Sequence, residues 1–365
     1  MIKNIHIQNF KSLKDISMTP TALNLLMGLN GMGKSSFIQT LLLLRQNRES
    51  GLARFALNGS LTEIGRGRDA LYQNAEKELI GFDFDLEVDS NKDSFSCKLA
   101  YNAENNILNN NTSWSTDLLN NYSLFNHDFQ YLEAERLGPR IDYPMSYTDV
   151  IEKHQLGTKG EFAVYYLNVF GTELEVPKAL CHPKAKSNTL IHQTAAWLGE
   201  ISPNVKLDTQ EIRGTDKVVL TYQTGPSSNN FRPKNVGFGI SYVLPVIVSL
   251  LCVKKDKIVI IENPEAHIHP KGQAEMGRLI ALAAAQGMQL FVETHSDHIV
   301  NGIRVAVKEG LIEQKKVNIS YFSRQTTETE QFSEIQHIRV DKNGELSDYP
   351  TDFMDEWNNQ LLKLI

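Results

Sequence analysis

LNLLMGLNGMGKSSFIQTLLLLRQ, residues 23–46, decides how the rest of this chain is read. Its first five residues form a short, wholly apolar strand apart from one Asn. The next eight, GLNGMGKS (28–35), fit the pattern G-x-x-x-x-G-K-[ST], and a helix follows. The glycines let the backbone curl around an anion with its N–H groups pointing inward. Lys34 is the loop's cation for β- and γ-phosphates, Ser35 offers a hydroxyl to Mg²⁺, and the helix start adds its positive end. The competing reading is a glycine-rich turn that binds nothing. The order strand, loop, helix is the context the motif demands. The expected nucleotide site is therefore Gly28, Asn30, Gly31, Met32, Gly33, Lys34, Ser35 and Ser36, with ATP and Mg²⁺ as its ligands.

Upstream, IKNIHIQNF (2–10) alternates with period two as a strand, while KSLKD (11–15) and Thr19-Pro20 read as turns. Downstream, residues 79–101 alternate again and suggest an antiparallel hairpin. Residues 102–128 are rich in Asn and Ser and read as a surface loop or the start of an insertion, outside the core. The stretch 129–235 is mixed, with a helix over about 190–199 and a loop at 223–235. An apolar helix follows, then the strand KIVII (257–261), a helix from Lys271 and the buried strand QLFVETHS (289–296). Strand and helix alternate in both terminal thirds, which points to an α/β sheet split by an insertion. By motif, the chain divides into 1–128, 129–235, 236–340 and a tail, 341–365.

A length of 365 residues gives room for one large α/β domain with an insertion, or two modest ones. The net charge of −6 argues against a protein whose whole surface binds nucleic acid or anionic membrane, though not against a local basic groove. Cys97, Cys181 and Cys252 have no paired spacing, and the N-terminus lacks a signal peptide's apolar core. The cytoplasm is the expected location. VGFGISYVLPVIVSLLCV (236–253) is apolar enough for a membrane, but Pro245 interrupts it and KKDK follows, so a buried core helix is expected.

Three further motifs bear chemistry. In KIVIIENPEAHIHP (257–270) an apolar strand ends in Glu262, an acid placed to hold Mg²⁺ directly or through water. In VETHSDHIV (292–300) His295 follows a second buried strand, where it can sense a γ-phosphate. NVGFGISYVLPVI (235–247) opens a helix with Gly237, Gly239 and Ser241, whose amides can cradle a phosphate supplied by another subunit. His267 and His269 lack a third metal ligand and read as loop packing. Arg136 and Arg140 read as ion-pair partners of Glu133 and Glu135, or as anchors for a phosphate or partner. The acids Asp341, Asp348, Asp352, Asp355 and Glu356 read as a solvated face.

This order of motifs, with IQNFKSLKD (7–15) ahead of the Walker A strand, resembles the ABC-type ATPases of the RecF, SMC and OLD branch. YLEAERLGPR, ENPEAHIHP and the terminal DKNGELSDYPTDFMDEW are similar to standalone bacterial AAA/ABC-type ATPases that end in a short domain of unknown function and often sit in anti-phage loci. The resemblance implies an ATPase head: a mixed sheet with Walker A and Walker B on central parallel strands, an antiparallel N-terminal β part and a mid-chain α/β insertion. It also implies a homodimer or higher oligomer with ATP sandwiched head to tail against residues 237–241, and an effector protein encoded nearby.

Two departures from that branch matter. Walker B usually ends Asp-Glu, and here it is Glu262-Asn263. Asn263 cannot take a proton, which leaves Glu265 as the nearest candidate base. Gly237 stands where the signature serine is expected, so a donor is missing, and slow or partner-dependent hydrolysis is expected. The leading expectation is an ATP-driven switch in bacterial defence. A DNA-binding repair ATPase of the RecF kind is the alternative, and a transporter's ATPase subunit is a weaker third.

Overall fold

A computed structural model describes residues 1–89, 91–223, 225 and 229–364; residues 224 and 226–228 of the loop expected at 223–235 lie outside the described residues. The chain divides into two compact units. The first comprises Met1–Phe129, Val317–Arg339 and Leu346–Ile365, and the second Gln130–Lys316 with Val340–Glu345.

In the first unit, β1 (Ile2–Phe10) buries Ile2, Ile5, Ile7 and Phe10. β2 (Leu13–Met18) runs back along it, with Ile16 opposite Ile7. The expectation that 11–15 is only a turn is corrected here. The turn is confined to Lys11 and Ser12, with Lys11 at φ 55°, and Leu13 already starts a strand that buries Leu13, Ile16 and Met18. The charged Lys14 and Asp15 between those apolar positions hid the period. β3 (Leu23–Met27) is buried throughout; its Asn24 is satisfied by the Thr21 N–H and C=O. α1 (Lys34–Gln46) sinks Leu41 to Leu44 into the core.

β4 (Arg54–Ala56) and α2 (Gly67–Ala70) follow. Then β5 (Leu79–Val88) and β6 (Asn91–Ala100) form the expected hairpin, completing an antiparallel sheet in the order β2-β1-β5-β6. Residues 102–128 correct a second expectation. They contain β7 (Ile107–Asn109) and α3 (Thr116–Asn120), and Leu108, Leu119, Tyr122, Leu124 and Phe125 are buried. The asparagines are structural: Asn110 accepts from the Lys98 N–H and donates to the Leu52 carbonyl, which lets this low-periodicity segment enter the core.

From Gln130 the second unit takes up the rest of β8 (Phe129–Leu132), then β9 (Tyr143–Pro144), α4 (Ala163–Phe170) and α5 (Leu190–Ile201). β10 (Lys206–Glu211) and β11 (Lys217–Gln223) join β9 in an antiparallel sheet in the order β10-β11-β9. α6 (Phe238–Leu251) is the expected apolar helix, buried on all sides from Gly239 onward. Its Pro245 ring lies against Gly160, where a Cβ would stand only 2.3 Å from the ring. Among the described residues no helix is long and apolar enough to cross a membrane. β12 (Ile258–Glu262), α7 (Pro270–Ala285), β13 (Gln289–Glu293) and α8 (Asp297–Lys308) complete the unit, with β12 and β13 parallel and in register.

The chain then returns to the first unit as β14 (Val317–Thr326), parallel to β3, and β15 (Gln331–Ile338), antiparallel to β14, before a terminal α9 (Glu356–Leu362). The units cut the chain after residue 129, so 130–235 and the part of the 236–340 segment up to Lys316 fall in one unit, while 317–339 fall in the other.

Candidate functional site

The phosphate loop lies in the first unit. Leaving β3, the backbone passes through Gly28 at φ 128°, Gly31 at φ 78° and Gly33 at φ 107°, angles an L-residue with a Cβ rarely adopts. Gly33 caps α1 in the left-handed conformation, with no side-chain hydrogen bond and no acid in the helix's first turn. The helix start thus keeps its full positive character for an anion. Lys34 is buried, and its Nζ donates to the carbonyls of Gly28 at 2.8 Å and Leu29 at 2.9 Å, arching over the loop it follows. Ser35 is exposed beside it. A loop of left-handed glycines, a buried ammonium and an acid-free helix start fits a polyphosphate.

The end of β12 lies in the second unit and is built differently. Glu262 accepts from the Tyr131 hydroxyl at 2.9 Å and the Ala134 N–H at 3.2 Å, one on each oxygen. Burial raises its pKa above the ordinary carboxylate value despite both donors. Asn263 sits at φ 45° with its N–H on the Glu293 carbonyl at 2.9 Å. Glu265 accepts the His295 N–H at 2.8 Å through Oε1, which joins the two sequence motifs. Glu265 Oε2 and Asn263 Oδ1 are buried and accept no hydrogen bond. Two unsatisfied oxygens at a strand end suit a water or a hydrated cation.

Arg136 corrects its expected ion pairing. Among the described residues its buried guanidinium donates to carbonyls: Tyr242 at 3.1 Å, Glu133 at 3.0 Å, Glu262 at 2.5 Å and Asn263 at 2.6 Å. It also lies 4.7 Å from the centre of the Tyr242 ring. Lys159, not Arg136, pairs with Glu133 and Glu135. Tyr242 in turn donates to the Ala134 carbonyl, so residues 131–136 tie the Walker B end to the start of α6. Burial among these groups lowers the Arg136 pKa.

At that helix start, Gly237 is exposed with nothing among the described residues within 4 Å of the position a Cβ would take, whereas Gly239 is pressed against the His267 carbonyl. Ser241 faces the interior, its Oγ 3.4 Å from the Tyr222 hydroxyl, and does not present itself at the surface with Gly237. His267 packs edge-on against Phe238 and Tyr242, and His269 caps α7 by accepting the Lys271 N–H. Among the described residues no group of three His, Cys, Asp or Glu side chains is arranged to hold a metal ion. Sequence reading missed Tyr131, Tyr242 and the true partners of Arg136. The signal was present in YLEAER, where an aromatic and an arginine flank the acids at a strand end.

The phosphate loop after a parallel strand, and the acid-tipped parallel strand beside a second one, define an ABC-type P-loop ATPase fold. Two solved structures share it. An Smc head bound to the C-terminal winged-helix domain of ScpA superposes with a TM-score of 0.59 at 11% identity, covering 93% of this chain and 98% of that one. An Smc head with an extended coiled coil, bound to the C-terminal domain of ScpA derived from Pyrococcus furiosus, gives 0.56 at 10% identity, covering 100% and 98%. Residues 23–301 match the family described as "AAA domain, putative AbiEii toxin, Type IV TA system", and the chain belongs to that family. Residues 312–364 match a "Protein of unknown function (DUF3696)". No curated protein matches the sequence.

Proposed function

We propose that the chain is an ATP-binding, slowly hydrolysing switch that pairs head to tail with a second copy and so controls a partner effector in defence against phage or foreign DNA. The observation that carries the nucleotide reading is the loop itself, with three left-handed glycines, a buried Lys34 and an acid-free helix start. The defence setting draws support from the family description, which names the AbiEii toxin and a Type IV TA system. When bound, Mg²⁺-ATP supplies the phosphoanhydride whose cleavage resets the switch.

In this reading Lys34 and the loop amides hold the phosphates, and Ser35 holds Mg²⁺. Glu262, with a lone pair remaining on each oxygen, would help hold Mg²⁺ directly or through water. Glu265 orients or deprotonates the attacking water through its unsatisfied Oε2, while the His295 N–H fixes its other oxygen. Asn263 orients the same water without taking a proton. Gly237, exposed at the start of α6, is the point that meets the second copy's nucleotide. Ser241, being buried, has no part in that contact.

Light scattering with and without ATP tests the proposal, using the wild type and Lys34→Ala. The wild type should double its mass with ATP. The variant should stay folded and monomeric, its ATP affinity lower by at least about a hundredfold from lost charge-assisted contacts. A variant that binds ATP normally sinks the site, and a wild type whose mass ignores ATP sinks the switch.

A further inference from the structure

The register of β14 on β3 ends with Tyr321 opposite Met27, but β14 runs on past the point where β3 gives way to the loop. There the hairpin touches all three loop glycines. A Cβ at Gly28 would collide with the Phe322 carbonyl, and one at Gly33 would lie 2.5 Å from Ser333 Oγ. The carbonyl of Gly31 accepts a hydrogen bond from the Arg324 guanidinium. Arg324 and Ser333 are themselves opposite residues of the hairpin, so a single rung braces the loop at Gly31 and Gly33. Ser333 is fixed in turn, its N–H on the Ser12 carbonyl and its hydroxyl on Ser12 Oγ, both at 2.8 Å.

A planar trans peptide points its C=O and its following N–H in opposite directions. Anchoring the Gly31 carbonyl therefore turns the Met32 N–H away from Arg324, and no described peptide is cis. Gly31, at φ 78° and without a side chain, has little of its own to hold that peptide plane. An exposed arginine more than 290 residues away in sequence (293 by position) supplies the hold.

We propose that Arg324 is a positioning residue for nucleotide binding, and that the β14–β15 hairpin, within the segment of unknown function at 312–364, is the part of the chain that sets the P-loop for phosphate. The inference rests on the reading of the loop as an ATP site. Arg324 acts through the loop backbone, so it serves the phosphates common to ATP and ADP and does not read the γ-phosphate.

The experiment is calorimetric titration of the full chain with ATP and, separately, with ADP, for the wild type, Arg324→Ala and Arg324→Lys, with thermal unfolding alongside. Arg324→Ala should weaken both nucleotides by the same factor, about tenfold, the size of one lost hydrogen bond to a charged group. Its unfolding midpoint should stay at the wild-type value, because the side chain is exposed. Arg324→Lys keeps a cation within reach of the carbonyl and should recover most of the affinity. Unchanged affinity in Arg324→Ala overturns the inference, as does a loss confined to ATP, which would mean direct contact with the γ-phosphate. A lysine variant as weak as the alanine one also overturns it. A wild type that binds neither nucleotide strikes the ATP-site reading itself.

Discussion

The phosphate loop and the end of β12 present the same kind of task, holding polar groups at a strand terminus, and the chain solves it in two ways. In the loop, the lysine bonds carbonyls only five and six residues away, and glycine backbone angles make the turn. At β12, Tyr131 and Arg136 reach Glu262 across 131 and 126 residues, and side chains do the holding. Local backbone chemistry leaves a pattern of fixed spacing, whereas a web of distant side chains leaves none. The first kind of site is specified by a motif, and the second by the fold.

The widest separation of the two regions should come from Glu265→Gln. The amide keeps the acceptor for the His295 N–H and removes the proposed base, so turnover in a single-turnover assay should fall by ~10²–10⁴. ATP affinity should not move, since the loop is built without Glu265. An unchanged rate would remove Glu265 from the chemistry.

Arg136→Met probes the web directly. It strips the charged donor from four carbonyls at or beside the strand end and removes a buried cation packed on Tyr242, and should cost about 3–5 kcal/mol in urea unfolding. A cost below about 1 kcal/mol, the scale of an ordinary surface change, would mean that the web does not hold the strand end.

The smallest effect is electrostatic. Burial raises the Glu262 pKa in the folded chain above its unfolded value. The folded state therefore binds this proton more tightly, and the stability it contributes is full at pH below the unfolded value and lost as pH rises through the folded one. Glu262→Gln carries no such charge. Relative to the wild type it should gain stability at neutral pH, and the gain should vanish on acidification below the ordinary carboxylate range. Thermal unfolding at pH 4 and pH 7 measures this; a difference independent of pH would contradict the assignment of burial as the cause.

The same contrast explains what could be read in the sequence. β1, β3, α1, the β5–β6 hairpin, α6, β12 and β13 each carry a periodic or continuous apolar signal and stand where that signal put them. β2 was missed because Lys14 and Asp15 interrupt it, and residues 102–128 because their buried Leu108, Leu119 and Phe125 are scattered among turn-forming asparagines. The C-terminal hairpin escaped notice although Val317, Ile319, Tyr321 and Phe322 are buried, because β14 ends in the polar SRQT and β15 is polar along most of its length. At the candidate site, the loop Gly28 to Ser35 carried a pattern of fixed spacing. Glu265 was singled out only as the nearest carboxylate, and Arg324 and Tyr131 not at all, since their contacts depend on strands that come together only in the folded chain.

The pairing of β14 with β3 also dictates an order of events during synthesis. A ribosome releases the phosphate loop long before residues 317–333 exist, and ribosomes add only about 5–20 residues per second. For that interval, roughly a quarter of a minute to a minute at those speeds, β3 lacks the neighbour whose register runs from Val317 to Tyr321. An apolar strand with an open edge is a hazard for aggregation, so the nascent chain is one that a chaperone should guard until residues 317–338 emerge. On the proposed role of the hairpin, nucleotide capture waits for those residues, and a chain cut short before them should lack it.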